Sequence, residues 1–328
     1  MKVLITGGAG YIGSTVASAF LDAGDEVVVL DDLSRGAADF LRDRPAYLGD
    51  IADAALLERI FAEHGDIALT VHCAARTVVP ESITDPLGYY EANVAKTIAL
   101  LANLRRLGCS RLINSSSAAV YGRTDEWVVT EASPVRPDSP YGRSKLMVEQ
   151  VLADACATGA LDALSLRYFN PIGADPGYRT GPLRHTDEPV LSTLLEAWQH
   201  DRTFRIHGRD WDTADGTPVR DFVHVWDVAL AHVAAAHHWP RVPGHHVINV
   251  GTGRGTTVAQ LAAMAAAELP RPLRVGYDAR RIGDVRGSCA SVDKAAALLG
   301  WRAVLGVGDA VHSAVEWMQR NPVFVPTA

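Results

Sequence analysis

The chain has 328 residues, of which 48% are hydrophobic and 21% charged, and its formal net charge is −7. That length suits one large or two ordinary domains, and that composition excludes a disordered chain. The acidic balance argues against a general nucleic-acid or membrane surface while leaving room for a local basic pocket.

The apolar run Lys2–Ile5 passes straight into a Gly-rich stretch at Thr6. That reads as a strand and a turn, not as a signal peptide. No stretch approaches the length of a membrane span, so the cytoplasm is the expected location. Short apolar runs follow at Val27–Leu30, Ala46–Leu48, Leu69–Cys73, Leu112–Ile113 and Ala163–Leu166. Between them, Ile12–Ala23, Ala54–Glu63, Tyr89–Leu107 and Lys145–Thr158 repeat apolar residues at helical spacing. Alternating strands and helices predict an α/β fold: a doubly wound parallel Rossmann sheet with helices on both faces. After Asn170, Gly173, Pro176, Gly177, Gly181, Pro182 and Pro189 crowd one stretch and predict a long loop. Beyond it the pattern predicts a smaller mixed α/β substrate domain. Its helices are expected at Val190–His200, Val225–Trp239, Val258–Leu269, Asp293–Leu299 and Gly308–Arg320, with strands near Phe204–His207, Val247–Val250 and Leu273–Tyr277. The expected division is 1–170 for the dinucleotide-binding domain and 171–328 mainly for substrate, with about 221–250 packing back on the first.

Cys73, Cys109, Cys156 and Cys289 form no CxxC and suit a reducing compartment. The pairs His237-His238 and His245-His246 lack ligand spacing, so no metal is expected.

Thr6-Gly7-Gly8-Ala9-Gly10-Tyr11-Ile12-Gly13 follows the first strand and opens the first helix. Gly7 permits a tight turn, Gly10 lets backbone approach a pyrophosphate, and Gly13 allows close packing of helix on strand. The helix N-terminus offers free N–H groups to phosphates. Asp31, ending the second strand, can accept both ribose hydroxyls of NAD and would repel the 2′-phosphate of NADP.

Tyr141-Gly142-Arg143-Ser144-Lys145 puts a phenol and an ammonium at i and i+4, on one face of a helix. A nearby ammonium, joined by the positive nicotinamide, favours the phenolate and makes Tyr141 a usable base. The serines of Asn114-Ser115-Ser116-Ser117 end the fifth strand, at the carboxyl edge where sheet ligands bind.

The Gly7-x-x-Gly10-x-x-Gly13 spacing resembles extended short-chain dehydrogenases/reductases. Within that resemblance, Tyr11 and Ile12 of the turn, Asp31, Asp32, the Asp50-Ile51 pair, Cys73-Ala74-Ala75 after the fourth strand, Asn93, Tyr141, Lys145 and Tyr168 are the implied cofactor residues. The implied catalytic hydroxyl is Ser117, giving a Ser117-Tyr141-Lys145 triad. Further blocks, chiefly the stretches at 166–174 and 215–225, resemble UDP-glucose 4-epimerases from Met1 to about Trp301. By that resemblance Ser117, Tyr141, Asn170, His207, Arg220, Arg281, Asp284 and Ser288 contact a UDP-sugar, with Arg220 and Arg281 on the diphosphate. Ser288 matches a gate beside the sugar's C2 group, where a small residue leaves room for N-acetyl. The implied reaction is NAD-dependent 4-epimerisation of a UDP-hexose through a 4-keto sugar. The implied assembly is a homodimer through the helices at Tyr89–Leu107 and Lys145–Thr158.

Asp32, Thr77 and Val190 stand where many members carry asparagine, lysine and a contacting polar residue, and Arg76 could replace the missing lysine charge. A 4,6-dehydratase needs Asp-Glu after the catalytic hydroxyl, whereas Ala118-Ala119 cannot transfer protons. The remaining alternatives are an epimerase for a UDP-hexuronate, UDP-pentose or dTDP-hexose, and a non-catalytic NAD-sensing regulator, which would need no triad.

Overall fold

A computed structural model describes residues 1–183, 190–280 and 285–321. The first half runs β1 (Lys2–Thr6), α1 (Tyr11–Asp22), β2 (Glu26–Asp31), β3 (Ala46–Leu48), α2 (Ala54–Glu63), β4 (Ile67–His72), α3 (Val79–Thr84), α4 (Pro86–Tyr90), α5 (Lys96–Arg106), β5 (Arg111–Ser117), β6 (Val128–Val129), α6 (Pro140–Ala157), β7 (Asp162–Tyr168) and β8 (Asn170–Ile172). The rest runs α7 (Val190–Gln199), β9 (Phe204–His207), β10 (Val219–Arg220), β11 (Phe222–His224), α8 (Val225–His237), β12 (His245–Val250), β13 (Thr256–Thr257), α9 (Val258–Glu268), β14 (Val275–Asp278), β15 (Cys289–Ala290), α10 (Asp293–Leu299) and α11 (Val307–Arg320).

Seven parallel strands form the central sheet in the order β12-β7-β5-β4-β1-β2-β3. Its strands read as continuous apolar runs because both faces are covered. Side chains alternate across the pleat. Val3, Ile5, Val27 and Val29 face α1 and α8 through Val16, Phe20, Val228 and Ala235. Leu4, Val28 and Leu30 face the other way, onto Leu57, Ile60, Leu100, Leu104, Val148 and Leu152. From β1 the chain winds outward to β3, then crosses to β4 on the other side of β1. The strand order therefore reverses beside β1, where ligands of such sheets bind.

A separate core gathers Ile172, Leu194, Phe204, Ile206, Phe222, Leu261 and Val311. Between its elements the chain returns to the sheet: α8 packs in the α1 core and β12 pairs with β7 as the sheet's last strand. Asp221 ties these parts together. Its buried carboxylate accepts the backbone N–H groups of Thr252, Gly253 and Ala290 at 2.8, 2.9 and 3.0 Å, and the Thr252 hydroxyl at 2.6 Å. Two chain segments thus share one carboxylate, and a third, at Asn170, donates its N–H to the Asp221 carbonyl at 3.0 Å.

Three elements differ from the sequence pattern. The expected helix at Tyr89–Leu107 is broken by a π turn at Glu91–Ala95, between α4 and α5. That turn aims Asn93 inward, where it is bonded to the chain after β4. The helix expected from Lys145 starts at Pro140, with the Ser139 hydroxyl accepting the Gly142 N–H at 3.1 Å as its cap. Proline at N1 costs the helix no hydrogen bond. The fifth strand extends from Leu112–Ile113 to Ser117, because its polar end pairs along its length with β7. Among the described residues no helix is long and apolar enough to cross a membrane.

Candidate active site

The turn after β1 is shaped by contacts that only glycine allows. Gly7 has φ +72°, and a Cβ there would stand 2.5 Å from the Ala74 nitrogen. A Cβ on Gly13 would stand 2.2 Å from the Gly7 carbonyl oxygen, so the first helical turn closes on the glycine turn itself, where the sequence pattern led to an expectation of packing on the strand. Gly10 is the N-cap of α1 and has no side-chain cap. The N–H groups that follow it remain available to phosphate oxygens. Ile12 packs on the α1 core, while the Tyr11 hydroxyl donates to the Gly173 carbonyl at 2.6 Å and ties the turn to the chain beyond β8.

Asp31 is buried at the end of β2. Its Oδ2 accepts the Ala9 N–H at 2.9 Å and its Oδ1 the Leu33 N–H at 2.8 Å. Burial raises its pKa, and these two bonds act against that. A carboxylate offers about four acceptor positions, so both oxygens keep capacity for ribose hydroxyls. Asp32 is exposed and accepts the Ser34 N–H. Asp50 pairs with Lys96, and Ile51 is buried beside it. This donor and acceptor set fits a dinucleotide: a glycine cradle under a helix N-terminus, with an acidic residue at the next strand.

After β4, the Cys73 N–H bonds the Thr6 carbonyl at 3.0 Å, and Ala74 closes over Gly7. Ala75 precedes Arg76, whose backbone is held on both sides by Asn93: N–H to Oδ1 at 2.8 Å and Nδ2 to carbonyl at 2.9 Å. Asn93 Nδ2 also reaches the Ser144 hydroxyl at 3.0 Å, so its amide fixes the loop after β4 against α6. Arg76 does not stand in for the lysine absent at Thr77. Its guanidinium is bound to Glu81 and Asp85, both at 2.6 Å.

The sequence triad converges at the carboxyl edge of β5. Lys145 is buried and its Nζ donates to the Ser115 carbonyl at 2.7 Å, 5.9 Å from the centre of the Tyr141 ring. Burial brings Lys145 down to about 8, against the charge of Glu149. In Tyr141, burial pushes the phenol above its usual value and a hydrogen bond with Ser117 acts against that. Lys145 is turned to a backbone carbonyl and does not by itself yield a phenolate. Cys73 is pushed up to about 12 by the same burial and is no nucleophile. Tyr168 closes the floor, its hydroxyl 2.6 Å from His232 Nε2.

On the substrate side, Asn170 Nδ2 donates to the Asp221 carbonyl at 3.2 Å. Arg220 Nη1 donates to the Val219 carbonyl at 2.7 Å, which aims the guanidinium along β10. His207 ends β9 opposite Asp278 of β14. Ser288 follows Gly287, where φ is +113° and a Cβ would stand 3.1 Å from Arg220 Nη1, so Ser288 lies on the segment beside Arg220. Arg281 and Asp284 lie outside the described residues, and Val190 opens α7.

One constellation escaped the motifs. Glu149 and Arg167 form a buried ion pair through two bonds of 2.9 and 2.6 Å. Glu149 Oε1 also accepts the Ser116 hydroxyl at 2.6 Å, and Arg167 Nη1 donates to the Tyr121 hydroxyl at 2.9 Å, which passes on to Asn249 of β12 at 2.7 Å. Two signals were available: Glu149 repeats the Tyr141, Lys145 interval once more along α6, and Arg167 is a charge inside a buried strand, between Leu166 and Tyr168.

Against known proteins, residues 3–251 match the model of the NAD dependent epimerase/dehydratase family. The UDP-glucose 4-epimerase of Azospirillum brasilense is 40% identical over 302 residues, 92% of this chain and 86% of that protein. A crystal structure of UDP-glucose 4-epimerase from Bifidobacterium longum in complex with NAD+ and UDP superposes with a TM-score of 0.91 at 34% identity, covering 98% of this chain and 99% of the other. The UDP-Glc/GlcNAc 4-epimerase from Campylobacter jejuni gives 0.84 at 35% identity, covering 97% and 99%.

Removing one partner of a buried ion pair strands the other charge. Glu149→Ala is therefore expected to lower the unfolding free energy by about 3–5 kcal/mol, read from urea denaturation. The double variant Glu149→Met with Arg167→Met should recover most of that loss. An unchanged midpoint for Glu149→Ala would show that the pair carries no such constraint.

Proposed function

The chain belongs to the NAD dependent epimerase/dehydratase family, and from that membership we infer that it interconverts the C4 epimers of a UDP-hexose, UDP-glucose and UDP-galactose, on a held NAD. The observation that carries this reading is the meeting of half-buried Ser117 with buried Tyr141 and Lys145 at the strand edge. Ala118-Ala119 leave the cluster without a second proton donor, so the sugar is oxidised and reduced without loss of water.

Gly7, Gly10, Gly13 and the α1 N-terminus would hold the pyrophosphate, with Asp31 on a ribose. Bound NAD+ supplies the acceptor for the C4 hydride and, as NADH, the donor that returns it to the other face of the 4-keto sugar. Tyr141 takes the O4 proton as the ketone forms and gives it back as the ketone is reduced. Ser117 holds the same oxygen. Lys145 keeps a positive charge under the phenol, an effect that grows as the pocket closes and water leaves. Arg220 anchors the diphosphate, so the sugar can turn while the nucleotide stays.

Purified protein should carry NAD(H) and equilibrate UDP-glucose with UDP-galactose without added reductant, with products read by NMR. Tyr141→Phe should lose roughly 100- to 10,000-fold in turnover while retaining UDP binding. Formation of no 4-epimer by the parent, or full turnover by the variant, would sink the assignment.

We further propose that UDP-N-acetylglucosamine is accepted, because Ser288 is small and sits beside Arg220. Ser288→Tyr should abolish its turnover by overlap while sparing UDP-glucose. Refusal of the N-acetyl sugar by the parent protein would end the gate argument.

A cytoplasmic homodimer completes the proposal. Four free cysteines suit a reducing compartment. Exposed Ile83, Leu87, Ile98 and Met147 lie on the neighbouring helices α3, α4, α5 and α6 and offer apolar surface to a second copy. Sedimentation equilibrium should give twice the 35.2 kDa chain mass. A single species at the chain mass would refute the dimer.

A further inference from the structure

In the central sheet β1 alone stands between β2 and β4. Any contact between the loops after β2 and β4 must therefore pass over the carboxyl end of β1 and its glycine turn. That is the crevice where a dinucleotide lies in such a sheet. Among the described residues, a side chain makes that crossing. Arg35, in the loop after β2, donates from Nη2 to Glu81 Oε1 of α3 at 2.5 Å.

Both ends of this crossing are fastened. On the β2 side, the loop is tied down by the Leu33 N–H to Asp31 and by the Ala37 N–H to the Ala9 carbonyl at 3.0 Å. On the β4 side, Glu81 is a fixed post. Arg76 Nη2 binds the same Oε1 at 2.6 Å, and the Tyr89 hydroxyl donates to Oε2 at 3.0 Å. Arg76 in turn holds Asp85 and lies 4.6 Å over the Tyr89 ring. Glu81 keeps only a quarter of its side chain exposed.

We propose that the Arg35–Glu81 pair is a strap across the dinucleotide crevice that slows the release of NAD(H), with Arg76 and Tyr89 holding Glu81 in place. The proposal rests on the NAD reading above. The chemistry gives it a purpose. The hydride taken from C4 must come back to the same sugar, so reduced cofactor that escapes midway leaves a stranded 4-ketone. A strap of charged side chains can open to admit the cofactor and close over it without moving the sheet. It also explains why the arginine at position 76 is committed to carboxylates and not turned to the cofactor.

The test measures release of bound cofactor from holoenzyme by exchange with isotopically labelled NAD+. It compares the parent, Arg35→Gln, Glu81→Gln and the double variant. Each single change is expected to speed release about fivefold, the scale of a partly exposed ion pair. The double variant should release no faster than either single one, because both remove one pair. The parent's advantage should shrink as salt is raised. Equal release from all four proteins would overturn the strap. So would additive effects, which would mean that Arg35 holds the cofactor directly. Failure of the parent to take up any labelled NAD+ would overturn the cofactor reading itself, a result distinct from the other two.

Discussion

The catalytic edge depends on one buried ion pair. Glu149 and Arg167 are each about 5% exposed at the side chain, so both charges have left water, a cost of several kcal/mol apiece before compensation. Two parallel N–H···O bonds offset that cost, and the remaining oxygen and nitrogen positions are filled by Ser116 and Tyr121. The pair therefore joins α6 to β7 and, through Ser116, to β5. Lys145, one turn before Glu149, grips the next residue of that strand at the Ser115 carbonyl. Two contacts at helical spacing on α6 thus meet two successive residues on β5. That fixes the register between the helix bearing Tyr141 and the strand ending in Ser117. A slip of one residue would strand the ion pair and separate the phenol from its serine together. The tie reaches further still, from Tyr121 to Asn249 on β12, so the strand added late in the sequence is braced by the same network.

What could be seen in the sequence was what local spacing encodes. Gly13 is explained by backbone contact with Gly7 and Gly8 in the same turn, and Gly7 by its positive φ in that turn, although the backbone that crowds it, at Cys73 and Ala74, is distant in the chain. Asp31 follows from where a strand of valines ends, and Tyr141 with Lys145 from the turn of a helix. The parallel sheet followed from alternation of elements, since both faces had to be covered. The departures have one cause in common: they depend on groups distant in the chain. Asn93 is turned inward by a π turn whose reason is the Arg76 backbone, 17 residues away. Arg76 looked like a spare positive charge until α3 and α4 brought Glu81 and Asp85 to it. The Tyr141 shift depends on burial, which no i, i+4 interval reports. Arg167 was visible as an odd charge in a strand, but its partner lay on another element.

The imidazoles show why the proposed proton transfer would fall to a tyrosine. His72 stands nearest Lys145, and burial, then that charge, bring it down to about 3. Its two nitrogens are committed to Thr6 and Thr97, at 2.8 and 2.9 Å. His232, under Tyr168, is brought to about 4 by burial and holds the Val228 carbonyl with its other nitrogen. His224 caps α8 and His245 bonds Ser165, each at about 4 for the same reason. All four are neutral near pH 7 and work as hydrogen-bond links between elements. His72, His224 and His232 have both ring nitrogens bonded within the protein and none to offer a sugar hydroxyl. Glu149 is spent on Arg167, and Asp221 on three backbone N–H groups. Among the described residues around the strand edge, Tyr141 is the phenol that lies beside Ser117, with Lys145 Nζ 5.9 Å from its ring centre, the placement that the proposed proton transfer needs. The four imidazoles, Glu149 and Asp221 are thus committed to partners within the fold, and in the proposed reaction the proton moves at Tyr141, with Lys145, itself brought down to about 8 by burial, as the neighbouring cation.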